Sequence, residues 1–239
     1  EQDPALLVDI IMNMAERIFR ARDECSYVVF SLSLQSGDSA NMSSSLHQDC
    51  TTKECKQVRK SQKLFYSLFL GDLLTALKKE DPALVDRTII VIIAGNAGVD
   101  LDKEISALRK KYKEVFNQMV IVGSIQSGNP NQISYYFNHL KVNSVPKGTT
   151  HPSMVYAVGD AVPISDDNGV HKVRCEGTSF AGPQVAAVID YIWRRVPSLT
   201  STQVIESFDQ ALLEMGNETR IPQMIQEEDN DIYISTLSS

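Results

Sequence analysis

One run of residues constrains this chain more than any other: Thr88-Ile89-Ile90-Val91-Ile92-Ile93-Ala94, β-branched up to its last member. No polar residue alternates within it, so neither face can be wet, and a strand of this kind belongs inside a parallel sheet covered by helices on both sides. Gly95-Asn96-Ala97-Gly98 closes it with residues suited to a turn of positive φ. Two other runs have the same character. Tyr27 to Leu34 is too continuously apolar to have one solvated face and reads as an interior parallel strand, and Met119-Val120-Ile121-Val122-Gly123 reads as another.

The segments between these strands carry helical periodicity. From Pro4 to about Arg22 the residues Leu6, Leu7, Ile10, Ile11, Met14 and Ile18 recur at three and four, with Asp3 as a cap. A second helix runs through Leu64, Leu68, Leu73, Leu74 and Leu77, and Asp81-Pro82 interrupts it. A charged helix from Asp102 to about Phe116 follows, its lysines and arginines reading as a solvated face. Alternating helix and strand predicts an α/β fold, a three-layer α/β/α sandwich with a mostly parallel sheet. With 239 residues, 43% of them apolar, one domain over 1–239 is the economical reading.

The second half is organised differently. From Gln126 to Glu176 the chain is rich in Gly, Asn and Pro around one apolar run, Met154 to Val158, which predicts long loops and a short strand. Gly177-Thr178-Ser179-Phe180-Ala181-Gly182-Pro183 then opens a helix with Val185, Val188, Ile189, Ile192 and Val196 on one face, stopped by Pro197. Thr200 and Gln203 form a capping box for the next helix. The tail from about Gln226 is acidic and reads as a solvated appendage or an edge element.

Charge and length exclude some functions. Lys plus Arg number 23 against 30 Asp plus Glu, a net charge of −7 that argues against a nucleic-acid partner. The longest purely apolar run, Ile89 to Ala94, falls far short of the roughly 20 residues a membrane span needs. Ala5 to Phe19 is broken by Asp9 and Glu16 and lacks the uncharged core of a signal peptide, so an export signal has been removed or never existed. Of Cys25, Cys50, Cys55 and Cys175, Cys50 and Cys55 are close enough for a local bridge, with free thiols the equal alternative. No acidic cluster has calcium-loop spacing, and no cofactor motif is identifiable. Asn41-Met42-Ser43 and Asn217-Glu218-Thr219 match the glycosylation sequon, a pattern too common to decide compartment.

The chemistry-bearing residues lie in two turns. Gly177 to Pro183 places a serine at the mouth of an apolar helix between small neighbours, and here the chain resembles the nucleophile motif of the subtilase family of serine peptidases. Ala94-Gly95-Asn96-Ala97-Gly98 is similar to that family's oxyanion-hole turn, in the matching order. Weaker likenesses join them: Ser31 to Leu34 to the substrate-pairing strand, Val120 to Ser124 to the strand after the oxyanion turn, and Val155 to Ile164 to the Ala-Pro-Gly loop. The resemblance implies a subtilisin-like fold lacking its first strands. It makes Ser179 the nucleophile and Asn96, with the Ser179 backbone N–H, the oxyanion donors. Ser33, Leu34, Gln35, Ala94 and Gly95 would line the substrate, with Gln35 where the family commonly has Gly. Calcium and secretion are implied by resemblance only.

A serine hydroxyl needs a positioned base, normally a histidine oriented by a carboxylate, and subtilases are themselves a standard instance of that arrangement. Neither an Asp-Ser/Thr-Gly nor a His-Gly-Thr motif occurs here, and His47, His139, His151 and His171 lack that context. The Asp/His pair is therefore expected upstream, and this chain alone is expected to be inactive. The first reading is a serine endopeptidase acting on peptides or proteins. The alternative is a catalytically inactive subtilase-like pseudoprotease that binds peptides or a partner. Either way the sheet flank along the Val28 and Val91 strands is expected to be uncovered, calling for the upstream segment or self-association. Gln184, where the family often has His, and Ala187, in place of a packing Gly, read as mild departures.

Overall fold

The computed structural model describes residues 4–24, 27–34, 53–126, 129–133, 154–160, 162–165, 172–214, 223–226 and 232–235. Its centre is a sheet in which β1 (Val28–Leu32), β2 (Thr88–Ile93), β3 (Met119–Gln126) and β5 (Val155–Asp160) run parallel in that spatial order. β4 (Asn129–Ile133) turns back antiparallel on the end of β3. Two small antiparallel pairs complete the described strands, β6 (Val162–Ser165) with β7 (Lys172–Cys175), and β8 (Gln223–Gln226) with β9 (Ile232–Ser235).

Every residue of β2 is buried, as its composition requires. Its side chains alternate between two cores. Ile90, Ile92 and Ala94 join Met119 and Ile121 under α1 (Pro4–Glu24), α2 (Lys53–Ser67) and α5 (Asp102–Lys111). Ile89 and Val91 join Val120, Val122, Val155 and Ala157 under α6 (Thr178–Arg195) and α7 (Ser201–Glu214). This is the three-layer sandwich, with both faces of the parallel sheet removed from water.

Two sequence expectations are corrected. β1 pairs with β2 but with no other described strand, so it is an edge strand; Val28, Val29 and Phe30 are only half-buried, whereas Val91 is fully covered. The continuous apolar run thus marks a strand whose second flank no described strand covers. Leu64 is 63% exposed, and the helix buries Phe65, Tyr66, Phe69, Leu70, Leu73 and Leu74 instead. These buried pairs recur every four residues, slower than the 3.6 of an α-helix, so a regular helix would rotate them off the core. The chain answers with a π-helical stretch at Leu68–Thr75, whose wider turn keeps successive pairs on one side. The helix resumes at α3 (Ala76–Glu80), and Asp81 ends it as expected, its carboxylate accepting from Ala83 N–H at 3.1 Å to cap α4 (Pro82–Val85).

The expected capping box is present: Thr200 N–H donates to Gln203 Oε1 at 2.8 Å and Gln203 N–H to Thr200 Oγ1 at 3.3 Å. Cys55 is buried and disulfide-bonded, so the free-thiol alternative does not hold for it. Cys25 and Cys50, the histidines, both sequons and Gln35 lie outside the described residues.

Trp193, fully buried, ties α6 to the edge strand. Its ring stacks on Tyr27 at 4.6 Å between centroids and 9° between planes, and its indole N–H donates to the Leu199 carbonyl at 2.9 Å. The Tyr27 hydroxyl donates to Asp190 Oδ1 at 3.0 Å, and burial, then that carboxylate, holds its pKa above the usual range. As the chain's one tryptophan, Trp193 is a native reporter. Its emission should be blue-shifted and should move red in a single urea transition, and Trp193→Ala should lower the unfolding free energy by about 3–5 kcal/mol, measured by circular dichroism.

Candidate functional site

The candidate residues converge where β2 ends beside the start of α6. β2 leaves the sheet after Ala94, whose N–H makes a last ladder bond to the Val122 carbonyl at 2.8 Å. Gly95, at φ 93°, turns the chain so that Asn96 reaches across to α6. The Asn96 Oδ1 atom accepts from Thr178 N–H at 3.0 Å and from Thr178 Oγ1 at 2.9 Å. Only an oxygen can accept from that N–H, so the amide has one orientation, with Nδ2 as its donor end. That nitrogen lies 3.7 Å from where a Cβ on Gly177 would stand. Asn96 and the Gly177-Thr178-Ser179 turn, remote in sequence, are neighbours in space.

Ser179 is the second residue of α6, half-buried, and its N–H is among the first-turn amides that have no partner within the helix. Ser33, just past β1, donates its hydroxyl to the Ser179 carbonyl at 3.2 Å. Four of the expected substrate-lining residues, Ser33, Leu34, Ala94 and Gly95, therefore sit at the same end of the sheet, at the ends of β1 and β2. No described side chain hydrogen-bonds the Ser179 hydroxyl, and no cluster of three metal-ligating side chains occurs among the described residues.

Close packing holds the turn in place. Gly177 has φ 151° and donates its N–H to the Gly159 carbonyl on β5 at 2.7 Å. A Cβ on Gly159 would stand 2.5 Å from Ser124 Oγ and 2.7 Å from the Gly177 carbonyl, so only glycine lets the three segments meet. Gln184 is more than a mild departure: its Nε2 donates to the Val158 carbonyl at 2.7 Å and to Phe180 at 2.8 Å, lashing the first turns of α6 to β5. From sequence Gln184 reads only as a mild departure, and Thr178, Ser124 and Gly159 only as members of longer segments, because their roles depend on which strands end together. Ala187, by contrast, is exposed on α6.

The profile described as the Subtilase family matches residues 2–219. No curated protein matches. Among solved structures, sphericase superposes with a TM-score of 0.47 at 17% identity, covering 84% of this chain and 54% of that one. The protease domain of PatA gives 0.43 at 15% identity over 88% of this chain and 60% of that one. The structure described as subtilase cytotoxin SubAB gives 0.47 at 14% identity over 87% and 60%. The chain thus spans between 54% and 60% of the length of these three.

The Gly159 contact yields a direct test. Gly159→Ala should cost about 1–3 kcal/mol in urea unfolding. Adding Ser124→Ala should not restore the loss, because the Gly177 carbonyl still occupies the space.

Proposed function

The chain belongs to the subtilase family, and from that membership we propose that it is the nucleophile-bearing part of a serine endopeptidase. One observation supports the reading: Asn96 and the Gly177-Thr178-Ser179 turn meet, with Thr178 holding the amide oxygen so that Nδ2 is its donor end beside the start of α6. Ser179 Oγ attacks the scissile carbonyl while a base takes its proton, and the negative oxygen is held by Asn96 Nδ2 and the Ser179 N–H at the positive end of the helix. Collapse of that intermediate expels the amine, protonated by the same base, and water then releases the acyl group from Ser179. The Asp/His pair is assigned to a segment outside this chain. The substrate is an extended peptide or protein lying along Ser33 and Leu34 on one side and Ala94 and Gly95 on the other.

The fold also suggests where that outer segment sits. A groove of about 870 Å³ runs along the unpaired edge of β1, floored by Val28 to Phe30, with Arg17 and Arg20 of α1 on one wall and Asp190 of α6 on the other. This cavity lies beside the candidate site rather than over it. It is the shape left for one more strand, whose main chain would satisfy the N–H and C=O groups of β1 that no described strand pairs. A second copy of the chain is the other occupant the edge would accept.

A serine-directed fluorophosphonate tests the chemistry. In protein that includes the upstream segment, Ser179 should be labelled, Ser179→Ala should abolish labelling, and Asn96→Ala should slow it roughly 10²–10³-fold. Absence of labelling in every form would establish the pseudoprotease alternative. Sedimentation tests the edge: this chain alone should self-associate, and a stable monomer would count against the docking strand.

A further inference from the structure

Tyr66 is one of the largest fully buried side chains in the molecule, yet its hydroxyl is not spent on the core. It is the next-to-last residue of α2, just ahead of the π-helical stretch, on the face turned to the end of β2. The hydroxyl lies 3.2 Å from the Ile93 carbonyl and 3.3 Å from the Ala94 carbonyl. Gln62, one turn earlier, is buried as well. These carbonyls belong to the last residue of β2 and to the residue after it, where the ladder with β1 has already ended at Leu32 and Ile92.

A backbone carbonyl buried in this position needs a donor, and a hydroxyl with a single proton shared between neighbouring carbonyls fixes the direction of both peptide planes. The Ala94–Gly95 peptide is the last rigid unit before Gly95, at φ 93°, swings the chain toward Asn96. Its plane therefore sets where the Asn96 amide can reach. Resting on the serine-peptidase reading of the site, we propose that Tyr66 is the positioning residue of the oxyanion turn: it clamps the end of β2 from the α2 layer while Thr178 holds the Asn96 side chain from the α6 layer.

The geometry also gives the π-helical stretch a purpose. Ring and hydroxyl have to enter between α2 and the strand end while Phe69, Leu70, Leu73 and Leu74 stay packed beyond it. The wider turn after Ser67 permits both. Burial raises the pKa of the phenol well above its usual range, so the hydroxyl keeps its proton and stays a donor at every working pH.

The test uses the full-length protein that contains this chain, with Tyr66→Phe and Phe69→Leu as a packing control that touches neither carbonyl. Fluorophosphonate labelling of Ser179 is resolved into a maximal rate and a half-saturating concentration. Tyr66→Phe should lower the maximal rate ~10-fold, because a misaimed donor stabilises the developing charge less, and leave half-saturation within about two-fold. Hydrogen exchange at Asn96, Ala97 and Gly98 should speed up while Ile89 to Ile92 stay protected. Phe69→Leu should lower stability and leave labelling unchanged, and 3-fluorotyrosine at position 66, which retains the hydroxyl, should restore the wild-type rate. A maximal rate unchanged in Tyr66→Phe, or exchange accelerated equally along all of β2, overturns the proposal. Should the wild-type protein not be labelled at all, the peptidase reading fails on its own account, and the exchange pattern alone decides whether Tyr66 positions the turn.

Discussion

The hydrogen bonds from Thr178 to Asn96 hold the candidate site together. The first N–H groups of any helix lack partners inside it, and a Ser, Thr, Asp or Asn at the N-cap normally supplies one. The N-cap of α6 is Gly177, at φ 151°, which has no side chain to offer. Asn96, arriving from the end of β2, does that work from outside. One contact therefore caps the helix, joins segments 82 residues apart, and fixes which end of the amide faces away from Thr178. Replacing Gly177 by a residue with its own capping side chain would strain the backbone and make Asn96 redundant as a cap.

Such an arrangement tolerates little slack, and the surrounding contacts show how slack is removed. Gly182 brings α6 so near the sheet that an added Cβ would stand 3.0 Å from Ile93 Cγ2. Gly159 does the same between β5 and the Gly177 turn, and Gln184 locks the first turns of α6 to Val158 and Phe180 with a neutral, pH-independent donor. A histidine there would present its donors according to protonation. On the opposite face the Arg59 guanidinium spans Glu104 with two contacts of 3.0 and 2.8 Å, joining α2 to α5 and steadying the layer from which Tyr66 projects. The sheet end is thus gripped from both sides.

Sequence made the buried elements legible where a single local pattern decides them. β2 and β3 announced two covered faces by unbroken apolar runs, and Asp81-Pro82 and Thr200 with Gln203 marked helix starts. The pairing of Asn96 with the Ser179 turn was legible only through a resemblance, since neither turn is distinctive by itself. What stayed hidden depends on three-dimensional neighbours. Leu64 looks like a core leucine until a period of four, corrected by a π-helical stretch, turns Phe65 and Tyr66 inward. β1 reads as interior because its residues are suited to a covered edge, and composition carries no information on whether the covering strand lies in the same chain. The value of Gly159 and Gln184 exists only once β5 and α6 are side by side.

The open edge and the site are not separate features, because one strand serves both. β1 contributes Tyr27, just before it, to the stack on Trp193 in α6, and Ser33, just after it, to the hydrogen bond on the Ser179 carbonyl. Between those two attachments its own backbone pairs, among the described strands, with β2 alone. A strand paired on one flank opens at lower cost than one paired on both, and opening would loosen its grip at both ends of α6 together. Covering the edge of β1 therefore stiffens Ser33, and through it the carbonyl of the residue proposed to do the chemistry. A segment that completed the sheet would act on Ser179 mechanically, independently of any side chain it brought to the site.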